Sequence, residues 1–231
     1  MNVHEANFAH RDFRAILFDL DDTLYDLRSY WRERLRLALD LVRARYAHLD
    51  AEALALLAMS ERVYIEHWPE FIRRQGIDDE ALIAEAHEVF RQEWFERMEL
   101  AEDAAPTLAA LRSRYKLGLI TNGPSAIQRA KIERFGLAKY FDELIVSGEV
   151  GVAKPDPAIF RLALERLGVA SAEALFVGDS PEYDLRGAMA AGIPFVWMNP
   201  GAEQLPEGIA RPLATIRRLG ELLDVLAAID C

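Results

Sequence analysis

The stretch Ala15-Ile16-Leu17-Phe18-Asp19-Leu20-Asp21-Asp22-Thr23 changes character halfway: a short apolar run stops at an acid, and a second acid follows two residues later. An unbroken apolar run of this length is the pattern of a strand buried on both faces, as in a parallel sheet, with its carboxyl end at the edge. Four more runs follow, at residues 116–121 (KLGLIT), 143–147 (ELIVS), 174–179 (ALFVGD) and 193–198 (IPFVWM). Between them lie segments of helical spacing. Residues 124–136 open on Pro124 and close at Gly136, residues 157–167 close at Gly168, and residues 181–191 open on Pro181 and close at Gly192. Proline fits the first helical turn and glycine the position after the last. Strands alternating with helices of about a dozen residues predict a doubly wound α/β domain with a mostly parallel sheet.

Residues 25–100 break the alternation. They contain no strand-like run and instead show long amphipathic spacing, as in Leu27, Tyr30, Trp31, Leu35, Ala38, Leu41 and Val42. A second helix is expected over residues 51–68, where Pro69 interrupts, and a third over residues 79–98 with Asp78 as its cap. The expected division is a core of residues 14–24 and 101–231, a helical insertion of residues 25–100 and an N-terminal tail of residues 1–13. The insertion enters directly after the first strand, and open α/β sheets bind ligands beyond the carboxyl ends of their strands. A lid is therefore the expected role.

Composition narrows the partners. The 231 residues are 52% hydrophobic, and 38 acidic against 27 basic side chains give a net charge of -11. That is a folded chain with a sizeable core, and its sign argues against a nucleic-acid polymer or an anionic membrane surface as partner. The single cysteine, Cys231, can close no disulfide within the chain, which fits a reducing cytoplasm. Residues 1–13 lack the pattern of a secretory signal, and the apolar stretches at residues 53–59 and 188–198 fall short of the ~20 residues that span a bilayer. His4, His10, His48, His67 and His87 show no metal-ligand spacing.

The chemistry gathers at the strand ends. Asp19 and Asp21 are close enough for their repulsion to call for a cation or a shared proton. A capping or turn role explains Asp22 or Thr23 but not the acid pair. A calcium loop fails, because Leu24 stands where the turn glycine is needed and Tyr30 where the bidentate glutamate is needed. The second strand ends in Thr121-Asn122-Gly123, a turn suited to phosphoryl oxygens. Lys154 is one of only four lysines, with Lys116, Lys131 and Lys139, and it precedes a proline-rich helix start. The fourth strand ends in Gly178-Asp179-Ser180, with Asp184 five residues beyond Asp179. Each has an ordinary reading as a cap, turn or solvated charge. Together, at one sheet edge, they suit magnesium-assisted phosphoryl transfer.

These four motifs, in this order, resemble the haloacid dehalogenase superfamily in its branch with a helical cap after the first motif. The resemblance spans nearly the whole chain from Arg14 and implies a Rossmann-like core. It implies Asp19 as the nucleophile forming an aspartyl-phosphate, and Asp21 as the acid for the leaving alcohol and then the base for water. Mg²⁺ would be held by Asp19, the main-chain carbonyl of Asp21 and Asp179, with Asp184 behind them or acting through water. Thr121 and Asn122 would hold phosphoryl oxygens, and Lys154 would offset charge on nucleophile and phosphate.

Fold alone does not choose the reaction. Dehalogenases of this superfamily lack the second acid, which is present here as Asp21, and the phosphonate-cleaving members use a cap lysine, whereas residues 25–100 contain none. Sugar phosphomutases commonly carry glycine where Asp22 stands. A receiver-type signalling domain shares these residue types, but its third acid precedes the Thr and its Lys comes last. The expectation is a phosphatase acting on a small phosphorylated metabolite, as a monomer or small homo-oligomer. Residues 149–160 (EVGVAKPDPAIF) and 206–210 (PEGIA) are similar to the branch of pyrimidine 5′-nucleotidases and N-acylneuraminate-9-phosphatases, which supports a nucleoside 5′-monophosphate or another small phosphorylated metabolite. The aromatics of the insertion, Tyr25, Tyr30, Trp31, Tyr46, Tyr64, Trp68, Phe71, Phe90, Trp94 and Phe95, are expected mostly to pack its own interior.

Overall fold

The computed structural model describes residues 12–61, 63, 65–91 and 97–229, so the expectations on His4, His10, Tyr64, Trp94, Phe95 and Cys231 lie outside the described residues. The chain divides into two compact units, Met1–Asp26 with Glu99–Cys231, and Leu27–Met98. Regular structure begins with β1 (Ala15–Phe18), every residue of which is buried. The second unit then supplies α1 (Leu27–Arg45), α2 (Ala51–Ser60), α3 (Trp68–Arg74) and α4 (Glu80–Arg91). The first unit resumes with α5 (Ala104–Arg112), β2 (Lys116–Thr121), α6 (Ser125–Arg134) and β3 (Glu143–Val146). The single turn α7 (Ser147–Val150), α8 (Pro157–Leu167), β4 (Ala174–Gly178) and α9 (Arg186–Ala190) follow. The last elements are β5 (Phe195–Met198), β6 (Ala214–Ile216) and α10 (Glu221–Ile229).

The strands form one parallel sheet in the order β3-β2-β1-β4-β5-β6, with helices on both sides. The apolar runs predict five of these strands. The sixth, Ala-Thr-Ile at the sheet edge, is too short to read as a run. Pleating sends Ala15 and Leu17 to one face, where they join Ile120, Phe176 and the α8 residues Ile159, Phe160 and Ala163 in a single buried cluster. Phe160 meets Phe176 edge to face at 5.0 Å. Burying either ring contributes about 1.5–3 kcal/mol.

This strand order positions the site. From β1 the chain steps outward to β2 and β3, then returns to place β4 on the other side of β1. The reversal between β1 and β4 opens a crevice at their carboxyl ends. Just past β1, the Leu24 N–H donates to the Leu20 carbonyl at 3.0 Å, and Asp22 inside this turn takes a left-handed φ of 60°, which aspartate tolerates better than most residues.

The unit Leu27–Met98 has its own interior, built from Leu35, Ala38 and Val42 of α1, Ala55 of α2, Trp68 and Phe71 of α3 and Phe90 of α4. Trp68 is fully buried, with ring centroids 5.3 Å from Phe90 and 6.3 Å from Phe71. Two expectations need correction. Pro69 does not end a helix but sits in the first turn of α3, where its missing N–H has no helical partner to lose. The α4 helix is capped by Asp79, whose Oδ1 accepts from the Leu82 N–H at 3.0 Å, and not by Asp78.

Candidate active site

The carboxyl end of β1 delivers Asp19, whose N–H continues the ladder to the Val177 carbonyl of β4 at 2.9 Å. Its side chain is buried, with Oδ1 2.5 Å from Lys154 Nζ and Oδ2 accepting from the Thr23 hydroxyl at 3.3 Å. Lys154 also lies 2.7 Å from Asp184 Oδ1. The other oxygen, Oδ2, accepts from the Ser180 N–H at 3.0 Å. Asp179 completes the group: oxygens of Asp19, Asp179 and Asp184 lie within 4.8 Å of one another. The Trp197 indole N–H holds the Asp179 carbonyl at 2.7 Å.

One ammonium among three carboxylates leaves the cluster negative. Burial, opposed by Lys154 and reinforced by Asp184 and Asp21, pushes the Asp19 carboxyl up to about 7. Lys154 is pulled down by its burial, but Asp184 and Asp19 outweigh this and hold it firmly protonated.

Lys154 is fixed from the backbone side by Asn122. The Asn122 amide donates to the Lys154 carbonyl and accepts from the Lys154 N–H, both at 2.9 Å. This side chain, expected to face phosphoryl oxygens, is thus occupied with the lysine loop, and the next N–H, that of Gly123, donates to Ser147 Oγ at 2.9 Å. Thr121, at the end of β2, accepts from Gln128 Nε2 and keeps its own O–H to donate.

Asp21 is held by groups that the motif reading does not include. Its Oδ1 accepts from Lys131 Nζ at 2.7 Å and from the Tyr25 hydroxyl, and its Oδ2 from Gln128 Nε2 at 3.0 Å. Tyr25, counted in the sequence among the residues of the insertion, falls with the first unit and packs its ring on Phe135 at 5.0 Å. Burial and the adjacent Asp21 raise its hydroxyl above the usual phenol range, so it stays a donor.

The chain matches the model of the haloacid dehalogenase-like hydrolase family over residues 13–192. It belongs to that family. A relative in Rattus norvegicus, N-acylneuraminate-9-phosphatase, is 31% identical over 94% of this chain and 95% of its own length. The pyrimidine 5′-nucleotidase YjjG of Escherichia coli is 46% identical over 124 residues, 53% of this chain and 55% of its own. Among solved structures, the putative hydrolase YfnB of Bacillus subtilis bound to magnesium superposes with a TM-score of 0.71 at 27% identity, covering 94% of this chain and 99% of that one.

For a haloacid dehalogenase-like hydrolase the acid cluster has an immediate use. The carboxylates of Asp19, Asp179 and Asp184, with oxygens within 4.8 Å of one another, suit a small, hard cation with oxygen ligands. Asp184 stands among these three acids. Sequence reading missed Lys131 and Gln128, although the scarcity of lysine was a usable signal: two of the four in the chain contact the acids of the first motif.

Proposed function

We propose that this hydrolase is a Mg²⁺-dependent phosphomonoesterase that works through an aspartyl-phosphate on Asp19. The observation that carries the reading is the convergence of Asp19, Asp179, Asp184 and Lys154 at the point where the strand order reverses. Asp19, Asp179 and Asp184 would hold Mg²⁺, with the main-chain carbonyl of Asp21. Bound there, the ion would neutralise the acids and polarise the phosphoryl group.

In the first step an oxygen of Asp19 bonds to phosphorus, the bond to the leaving alcohol breaks, and Asp21 supplies the proton that the departing alkoxide takes up. Lys154 keeps Asp19 oriented and offsets negative charge on the transferring group, while Thr121 donates to a phosphoryl oxygen. In the second step water bonds to phosphorus and gives its proton to Asp21, and the Asp19–phosphorus bond breaks to release phosphate. The substrate class we favour is a nucleoside 5′-monophosphate, on the strength of the likeness to a pyrimidine 5′-nucleotidase. The insertion of unit Leu27–Met98 directly after the nucleophile strand supports a role as lid. The protein is read as cytoplasmic, and among the described residues no helix is long and apolar enough to cross a membrane.

Hydrolysis of 4-nitrophenyl phosphate tests the reading. Turnover is expected with Mg²⁺ and lost with chelator, and Asp19→Asn lowers kcat by roughly 10³-fold or more. Activity that survives both chelation and Asp19→Asn contradicts the mechanism.

A further inference from the structure

Lys131 and Gln128 are buried to 3% and 1% exposure, and α6 sets them three residues apart, on one face. An ammonium and a primary amide taken out of water need partners. Here both find the same one: Lys131 Nζ meets Asp21 Oδ1 at 2.7 Å and Gln128 Nε2 meets Asp21 Oδ2 at 3.0 Å. The Gln128 amide nitrogen also reaches the Thr121 hydroxyl, tying Asp21 to the end of β2. Lys131 lies 5.8 Å from the centre of the Tyr25 ring, whose hydroxyl is the third donor to Asp21. An ammonium and an NH₂ group offer only hydrogens. Donors on both oxygens therefore fix the position and orientation of the Asp21 carboxyl group.

We propose that Gln128 and Lys131 are positioning residues that hold Asp21 as the base for hydrolysis of phosphorylated Asp19, and so set the rate of the second half-reaction. In that step the water oxygen bonds to phosphorus, its proton passes to Asp21, and the electrons of the breaking Asp19–phosphorus bond return to the Asp19 carboxylate. The inference rests on the phosphatase reading above.

The test uses the full chain with Mg²⁺ and 4-nitrophenyl phosphate, whose leaving group departs without needing a proton. Gln128→Met, Lys131→Met and Lys131→Arg are compared with the parent. In the two Met variants kcat falls about 10-fold or more and KM falls with it, while kcat/KM, which ends at phosphoryl transfer, stays within about twofold. A burst of nitrophenolate precedes the steady state, and acid-quenched protein carries phosphate on Asp19 that the parent does not accumulate. Lys131→Arg recovers part of the rate. If Lys131→Met fails to fold, Gln128→Met and Tyr25→Phe, which change no charge, carry the same comparison.

A parallel fall of kcat and kcat/KM without phosphoprotein, or no change in either, overturns the proposal. A parent with no turnover, or turnover that persists in Asp19→Asn, defeats the phosphatase reading itself. A parent that turns over through Asp19 while no variant accumulates phosphoprotein defeats only the assignment of Gln128 and Lys131.

Discussion

At Asp19 the proposed chemistry coincides with a cost of burying a carboxyl group. Folding raises its carboxyl from an ordinary 3.8 to about 7 through burial, so the folded state holds the proton more tightly than the unfolded state. That contribution to stability is complete below pH 3.8 and is lost as the pH rises through about 7. In chelator, Asp19→Asn is therefore expected to raise the thermal midpoint at pH 8, with the advantage shrinking toward pH 5. Differential scanning calorimetry at the two pH values measures it, and an equal or lower midpoint at pH 8 contradicts the assignment of Asp19 as a destabilising buried acid. The motif residues were legible in the sequence because acids at strand ends are conspicuous. Lys131 and Gln128 were not, because a Lys and a Gln three apart in an ordinary helix read as a solvated face until the fold brings Asp21 under them.

At the scale of elements, the turn after β4 shows how tightly the site is tied to its scaffold. A Cβ added at Gly178 would come 2.4 Å from Asp184 Oδ2 and 2.7 Å from its Cγ, whereas one at Gly187 would meet the Phe160 ring at 2.4 Å and the Pro155 carbonyl at 2.9 Å. Both Gly→Ala changes overpack buried sites and are expected to cost about 1–3 kcal/mol in urea unfolding. Only Gly178→Ala displaces an acid of the cluster, so only it should weaken Mg²⁺ binding by titration calorimetry. Equal affinities in the two variants contradict the place given to Asp184. The buried strands were readable as apolar runs, since a parallel strand covered on both faces admits little else. Helix boundaries were harder: Pro69 suits the start of a helix as well as its end, and of the neighbours Asp78 and Asp79 only the side chain's hydrogen bond tells which one caps. The edge strand β6, at three residues, carried no pattern to read.

For the whole molecule, a charge of -11 sets a long-range field against any phosphorylated substrate. Attraction then has to come from the site itself, from Lys154 and the cation proposed there. Salt screens distant charges more than buried ones, so kcat/KM for a phosphomonoester is expected to hold or rise as ionic strength goes from about 0.02 to 0.2 M. A steep fall would show that exposed basic groups steer the substrate. The second compact unit, Leu27–Met98, belongs to this scale as well. With it replaced by a short linker, 4-nitrophenyl phosphate is expected to remain a substrate while discrimination among nucleotides and sugar phosphates is lost; retained discrimination contradicts the lid. The central claim is that the phosphoryl group passes through Asp19. Reducing the enzyme with borohydride during turnover converts an aspartyl-phosphate to homoserine, and peptide mass spectrometry locates it. The account predicts homoserine at position 19, and an unmodified Asp19 in protein that continues to release phosphate would contradict it.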